Sequence, residues 1–215
     1  AHIVNGTDHH KPVDTRLMMV SSIDDMSGIR GSDSNMYDAY GFPISSTSER
    51  WIDASHKQTR TVTRTYDHSD STGVYVLGTL TGEENMSDLD GVANNNLGMS
   101  VSIETDSLKR PVIVSKDVLA MKKVRIGNRF RYIPVPSPLS EVHYSYDAFG
   151  NVSTETRLEY GADSASVSSF NYDADGRFLV SSEDALGRIT TYGSRTVYGN
   201  PLTVSDWLGR STSYT

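Results

Sequence analysis

Eight copies of Asp-x-x-Gly punctuate this chain of 215 residues, starting at Asp25, Asp38, Asp70, Asp88, Asp147, Asp173, Asp184 and Asp206. Random placement of 19 Asp and 17 Gly would give about 1.5 such pairs. The unit reads as a tight turn. Asp accepts hydrogen bonds on its carboxylate from backbone N–H groups just ahead of it, and Gly takes the positive φ that closes the turn. A type I turn ending in a left-handed Gly joins two antiparallel strands, with a bulge at the Gly. A chain with this many hairpin turns can fold as sheet far more readily than as helix.

The region His143 to Tyr214 repeats one phrase. Tyr146-Asp147-Ala148-Phe149-Gly150-Asn151 is followed by Tyr172-Asp173-Ala174-Asp175-Gly176-Arg177, Asp184-Ala185-Leu186-Gly187-Arg188 and Asp206-Trp207-Leu208-Gly209-Arg210. Tyr37-Asp38-Ala39-Tyr40-Gly41 is an earlier copy. The flanks alternate with period 2: Val142, Tyr144 and Tyr146, then Val152, Thr154, Thr156, Leu158 and Tyr160. Gly176, Gly187, Gly199 and Gly209 follow one another at gaps of 11, 12 and 10 residues, which leaves room for strands of ordinary length. The expectation is an all-β chain of repeated hairpins, with turns at Asp147–Gly150, Asp173–Gly176, Asp184–Gly187 and Asp206–Gly209 and positive φ at their glycines.

These residues resemble the YD repeat of bacterial RHS proteins, of insecticidal toxin-complex shell components, of wall-associated proteins and of animal teneurins. Asp184-Ala185-Leu186-Gly187-Arg188-Ile189-Thr190-Thr191-Tyr192 matches best. The resemblance is clear over residues 141–215, fair over 37–81 and faint elsewhere. It implies a twisted or spiralling antiparallel sheet that is part of a hollow shell around a cargo polypeptide. It assigns a structural repeat role to Tyr37, Asp38, Gly41, Tyr146, Asp147, Gly150, Tyr172, Asp173, Gly176, Arg177, Asp184, Gly187, Arg188, Tyr192, Asp206, Gly209 and Arg210. Its implied partners are the rest of the same shell and a C-terminal toxin, and its implied location is secreted or on a bacterial surface. The self-cleaving Asp-Pro motif of many such proteins has no counterpart here, because the chain contains no Asp-Pro.

The front of the chain is less regular, and 1–138 reads as a divergent segment before the regular repeats of 139–215. Arg16–Val20 is a candidate buried strand, and Ser21–Asn35 reads as loop. Gln58–Tyr66 alternates, with Arg60 and Arg64 on one face and four Thr on the other. Glu83–Gly98 reads as loop, and Lys116–Lys123 as the one place for a short helix. Gly127-Asn128 is a hairpin signal between Val-, Ile- and Phe-containing strands. Pro134, Pro136 and Pro138 then suggest an extended connector, since alternate Pro does not suit a central strand. Lys109–Arg131 holds eight Lys/Arg and one Asp in a chain of net charge −7. It reads either as an anion-binding patch or, preferably, as strands whose outer residues pair with acidic neighbours.

Several functions find no footing. Zero Cys excludes disulfides and thiolate chemistry, and the acidic balance disfavours nucleic acid as a partner. No apolar run approaches a membrane span. Asp8-His9-His10 lacks a spaced third ligand, and Asp88-Leu89-Asp90-Gly91 opens like a calcium loop but lacks the further ligands. No cofactor is expected. No hydrolase, phosphate-loop or dinucleotide motif occurs; Ser and Asp are plentiful beside His56, His68 and His143, but a triad is defined by geometry and sequence order gives it no support. The leading reading is a non-catalytic shell segment. The alternative is a carbohydrate- or cell-surface-binding module, which exposed Trp51 and Trp207 would favour over the preferred reading that both pack in the sheet. A hydrolase with a loop-built site comes last. Ala1 and Thr215 both read as cut ends of a longer protein, with an uncapped last strand that would self-associate.

Overall fold

Side chains that alternate between two faces, separated by turn residues, produce antiparallel strands. The computed structural model describes residues 19–23, 30–53, 55–69, 78–90, 97–127 and 129–214, and none of these is helical. The chain divides into two units: Ala1–Arg110 with Lys116–Leu139, and Pro111–Ser115 with Ser140–Thr215.

The first unit holds β1 (Met19–Ile23), β2 (Arg30–Tyr37), β3 (Pro43–Trp51), β4 (Lys57–Asp67), β5 (Thr79–Leu89) and β6 (Leu97–Thr105). It also holds the hairpin end of β7 (Pro111–Ile126) and β8 (Arg129–Tyr146). The second unit holds the other ends of β7 and β8. With them are β9 (Val152–Glu159), β10 (Ser166–Tyr172), β11 (Leu179–Glu183), β12 (Ile189–Tyr192), β13 (Thr203–Ser205) and β14 (Ser211–Ser213). Strand order follows chain order in both, so every connection is a hairpin between neighbours.

Little of this sheet is core. Among the described residues only Leu119, 5% exposed in the first unit, and Val142, 7% exposed in the second, are buried apolar side chains. Cross-strand polar pairs take the place of a second layer in the first unit. Arg64 on β4 meets Glu83 directly opposite on β5 at 2.8 Å. Lys57 bonds Glu49 at 2.6 Å, and Arg50 bonds Asp33 at 2.9 Å. Opposite charges on facing strands are the sheet's ordinary stabilising unit, each contributing on the order of 0.2–1 kcal/mol.

Four expectations are overturned. Ser21–Asn35 is not simply loop, since β1 and β2 pair from Met19↔Ser34 to Ile23↔Arg30. Glu83–Leu89 continues β5 rather than forming loop, and Asp88 lies opposite Thr59 instead of opening a turn. Lys116–Lys123 is strand, not helix. Val118, Val124 and Ile126 fit a half-covered sheet, and pairing with β8 overrides the weak helix preference of the Lys and Ala residues.

Pro134, Pro136 and Pro138 lie inside β8 rather than in a connector. The physical reason is edge-specific. Proline has no N–H to give to a ladder, so it suits a stretch of strand with one free side. Pairing with β9 starts only at Ser140, opposite Glu159. The prolines therefore lie in the part of β8 that has no β9 partner.

Candidate functional site

One turn recurs with nearly the same bonds. At Asp147 the backbone carbonyl accepts from the Gly150 N–H at 3.1 Å, and its N–H donates to Asn151 O at 2.9 Å. Two residues thus oppose one, which is the expected bulge at the Gly. The carboxylate Oδ1 accepts the N–H groups of Phe149 and Asn151, both at 2.9 Å. Asp38, Asp184 and Asp206 repeat all four bonds with their own i+2, i+3 and i+4 neighbours. The turn at Asp173 is one residue longer, and its carboxylate takes the N–H groups of Arg177 and Phe178. Gly41, Gly150, Gly176, Gly187 and Gly209 have φ of 97°, 93°, 67°, 73° and 77°.

The residue after the Gly has its own task. Arg188 and Arg210 each send Nε to the second carboxylate oxygen of their Asp, both at 2.6 Å, and a second guanidinium nitrogen also pairs with it. Asn151 does the same work with Nδ2 at 3.0 Å. Arg177 contributes its backbone N–H. These bonds favour the charged carboxylate. The Arg188 guanidinium is the main reason Asp184 lies below the usual carboxylate range. At Asp147 and Asp206 partial desolvation pushes the carboxyl up, but the bonds from Asn151 and Arg210 outweigh it and the net shift is down.

The repeat tyrosines Tyr37, Tyr146, Tyr172 and Tyr192 each end a strand, β2, β8, β10 and β12. The first three mark a second bulge, where the returning strand carries one extra residue: Ile44, Ser153 and Val180. Tyr146 also donates its hydroxyl to Pro111 O at 2.6 Å, the first residue of the preceding strand. Tyr66 does likewise with Pro43 O at 3.3 Å.

Three further members escaped the Asp-x-x-Gly pattern. Asp106-Ser107-Leu108-Lys109-Arg110 makes the same turn with Lys109 at φ 63° in place of Gly. Its sequence signal is Asp-x-Leu-x-Arg, shared with 184–188 and 206–210. The Lys109 side chain is almost wholly covered and pairs with Asp67, which holds a non-Gly residue in that conformation. Thr196-Val197-Tyr198-Gly199 uses a hydroxyl where the others use a carboxylate. Tyr66-Asp67 repeats the strand-end bulge, with Thr81 as the extra residue, but a long connection to Gly78 hides it in the sequence.

Turns at the same end of neighbouring hairpins are also fastened to each other. In the first unit the Phe42 ring fills the space above Gly78, and Asp38 bonds His68 Nε2 at 2.8 Å. His68 stacks on Tyr40 with ring centroids 4.4 Å apart. In the second unit Phe149 covers Gly176, and Phe178 covers Gly199. Asn151 donates to Gly176 O at 2.8 Å, and Arg195 lies 4.9 Å over the Phe178 ring.

Elsewhere the surface offers little built chemistry. A groove of about 300 Å³ between β2, β3 and β4 contains Asp33, Arg60 and Arg64. All three are engaged, with Arg50, Asn85 and Glu83. Among the described residues no three His, Asp or Glu converge as metal ligands. Asp88 sits in a strand, and Asp8-His9-His10, Asp25 and Asp70 lie outside the described residues. Trp207 does not pack in the sheet, whereas Trp51 lies opposite Lys57 on β4, whose Nζ is 5.8 Å from its ring centre. Trp51 is 39% exposed at the end of β3, and Trp207 is 56% exposed in a turn, where no facing strand covers it. No protein-family model matches the chain, and no curated protein matches it either.

Proposed function

We propose that this chain is a non-catalytic structural segment of a secreted or surface RHS-type YD-repeat protein, whose sheet encloses or presents a C-terminal toxin. The observation that carries this reading is the coupled turn: one Asp-capped unit recurs through the chain, and the copies at one end of the strands grip their neighbours. A sheet that binds itself along one rim, with only Leu119 and Val142 buried among the described apolar residues, is built as a wall rather than around its own core. The test is limited proteolysis of the longer polypeptide that contains this segment. A downstream fragment should resist cleavage until the wall is opened by Gly176→Val. Cleavage of that fragment as fast as in isolation overturns the reading.

A second reading, a carbohydrate- or cell-surface-binding module, draws on the exposed rings of Tyr198 and Trp207, which lie in turns at opposite ends of the strands of the second unit. Aromatic rings at turns can stack on sugars, and a glycan array with Trp207→Ala as control separates the two readings.

A further inference from the structure

The basic stretch of the sequence resolves into two unlike parts. Lys109 and Arg110 are tied to Asp67 and Asp106. Lys116, Lys122, Lys123, Arg125, Arg129 and Arg131 form no ion pair among the described residues. Among the described residues, eight other Lys or Arg side chains hold a carboxylate, Lys109 and Arg110 included. The hairpin formed by the end of β7 and the start of β8 therefore carries net +5 between Lys116 and Arg131, in a chain of net −7. The reading of this stretch as cations neutralised by acidic neighbours holds for its first two residues and fails for the hairpin.

The same hairpin exposes large apolar side chains. Ile126 is 53% exposed and Phe130 64%, and they flank the Gly127 turn, with Tyr132 and Val118 also exposed behind them. Lys123 Nζ lies 4.8 Å over the Phe130 ring, which puts Phe130 on the face of Lys123 and Arg125. Strand alternation then puts Arg129 and Arg131 with Lys122 and Ile126 on the opposite face. Both faces of the tip thus have an apolar group at the end and cations behind it. A nucleic-acid groove would need one cationic face. A tip with an apolar end and a cationic collar on both sides suits insertion between anionic headgroups, where the ring and the aliphatic group enter the acyl boundary and the cations stay at headgroup level.

We propose that the β7–β8 hairpin is a docking element for an anionic lipid surface. The proposal does not depend on the shell reading. The experiment is co-sedimentation of the 215-residue chain with vesicles of phosphatidylglycerol and phosphatidylcholine, and with phosphatidylcholine alone. Binding is expected for the anionic vesicles only, and it weakens as salt is raised. Lys122→Glu with Lys123→Glu removes attraction and adds repulsion, so binding should fall at least tenfold, given roughly fivefold per cation near such a surface. Phe130→Ser keeps every charge and should still weaken binding roughly fivefold or more. Arg177→Glu, outside the hairpin, should leave binding unchanged. Circular dichroism of each variant should match the parent, because all these positions are exposed. Equal binding to both vesicle types, no binding to either, or equal binding by the Phe130→Ser protein would each overturn the proposal. The last result, with tight binding to duplex DNA, would mark a general polyanion surface instead.

Discussion

The second unit carries the same turn at both ends of its strands and treats the two ends differently. At one end are the turns after β8, β10 and β12, where Phe149 covers Gly176, Phe178 covers Gly199, and Asn151 bonds the Gly176 carbonyl. At the other end are the turns after β9, β11 and β13. A Cβ at Gly161 or Gly209 would meet nothing within 4 Å, and one at Gly187 would meet only the Glu183 carboxylate at 3.6 Å. Successive turns at one end are two strands apart, or about 10 Å, which Phe, Asn and Arg side chains can span. Phe149 spans it, whereas Leu186, at the same place in its turn, projects outward. One end is a coupled rim, and the other is a row of independent turns.

The largest effect should be common to both ends, which makes it the control. The turn carboxylates at Asp147, Asp173, Asp184 and Asp206 are all held below the usual range. A depressed folded-state value means a contribution that is present at neutral pH and is lost as pH falls through that value. Thermal stability should stay level down to about pH 5 and collapse between about pH 4 and pH 2. A melting temperature that holds through that window would show that the carboxylates do not carry the turns.

Next in size, Gly176→Val should cost about 3 kcal/mol or more, since it combines a strained positive φ with displacement of the Phe149 ring. Gly209→Val meets only the φ strain and should cost about 1–2 kcal/mol. Equal losses in urea unfolding would erase the distinction between the ends. A finer probe is the cycle of Phe149→Ala with Gly176→Ala. Removing the ring should make the Gly176 change cheaper by about 1 kcal/mol, and strictly additive losses would mean the two turns are not coupled. The smallest effect belongs to Arg210→Ala at the open end. Its pair with Asp206 is highly exposed, so unfolding by urea should not distinguish it from the parent. A clear loss there would mean that the open end, too, depends on more than local bonds.

What could be read from the sequence is what a few consecutive residues decide among themselves. Asp147, Phe149, Gly150 and Asn151 make their turn with no help from the rest of the chain, and the same holds at Asp184 and Asp206. Alternation at Val142–Tyr146 and Val152–Leu158 likewise follows from the pleat. The Asp106 turn and the Thr196 turn are just as local, but other residues satisfy the same bonds in them. Lys109 stands in for Gly with its side chain received by Asp67, 42 residues away in the chain, and by Ser69.

Tertiary structure alone decided the rest. Lys116–Lys123 is strand because β8 pairs with it, and three prolines sit in β8 because β9 starts only at Ser140. Phe149 covers a glycine while Leu186 does not, and Trp207 faces outward. Each depends on which backbone lies beside the residue and on which edge is free. Strand pairing brings those neighbours together across tens of residues, so local bonds set the turns, and the assembled sheet decides which of them hold each other.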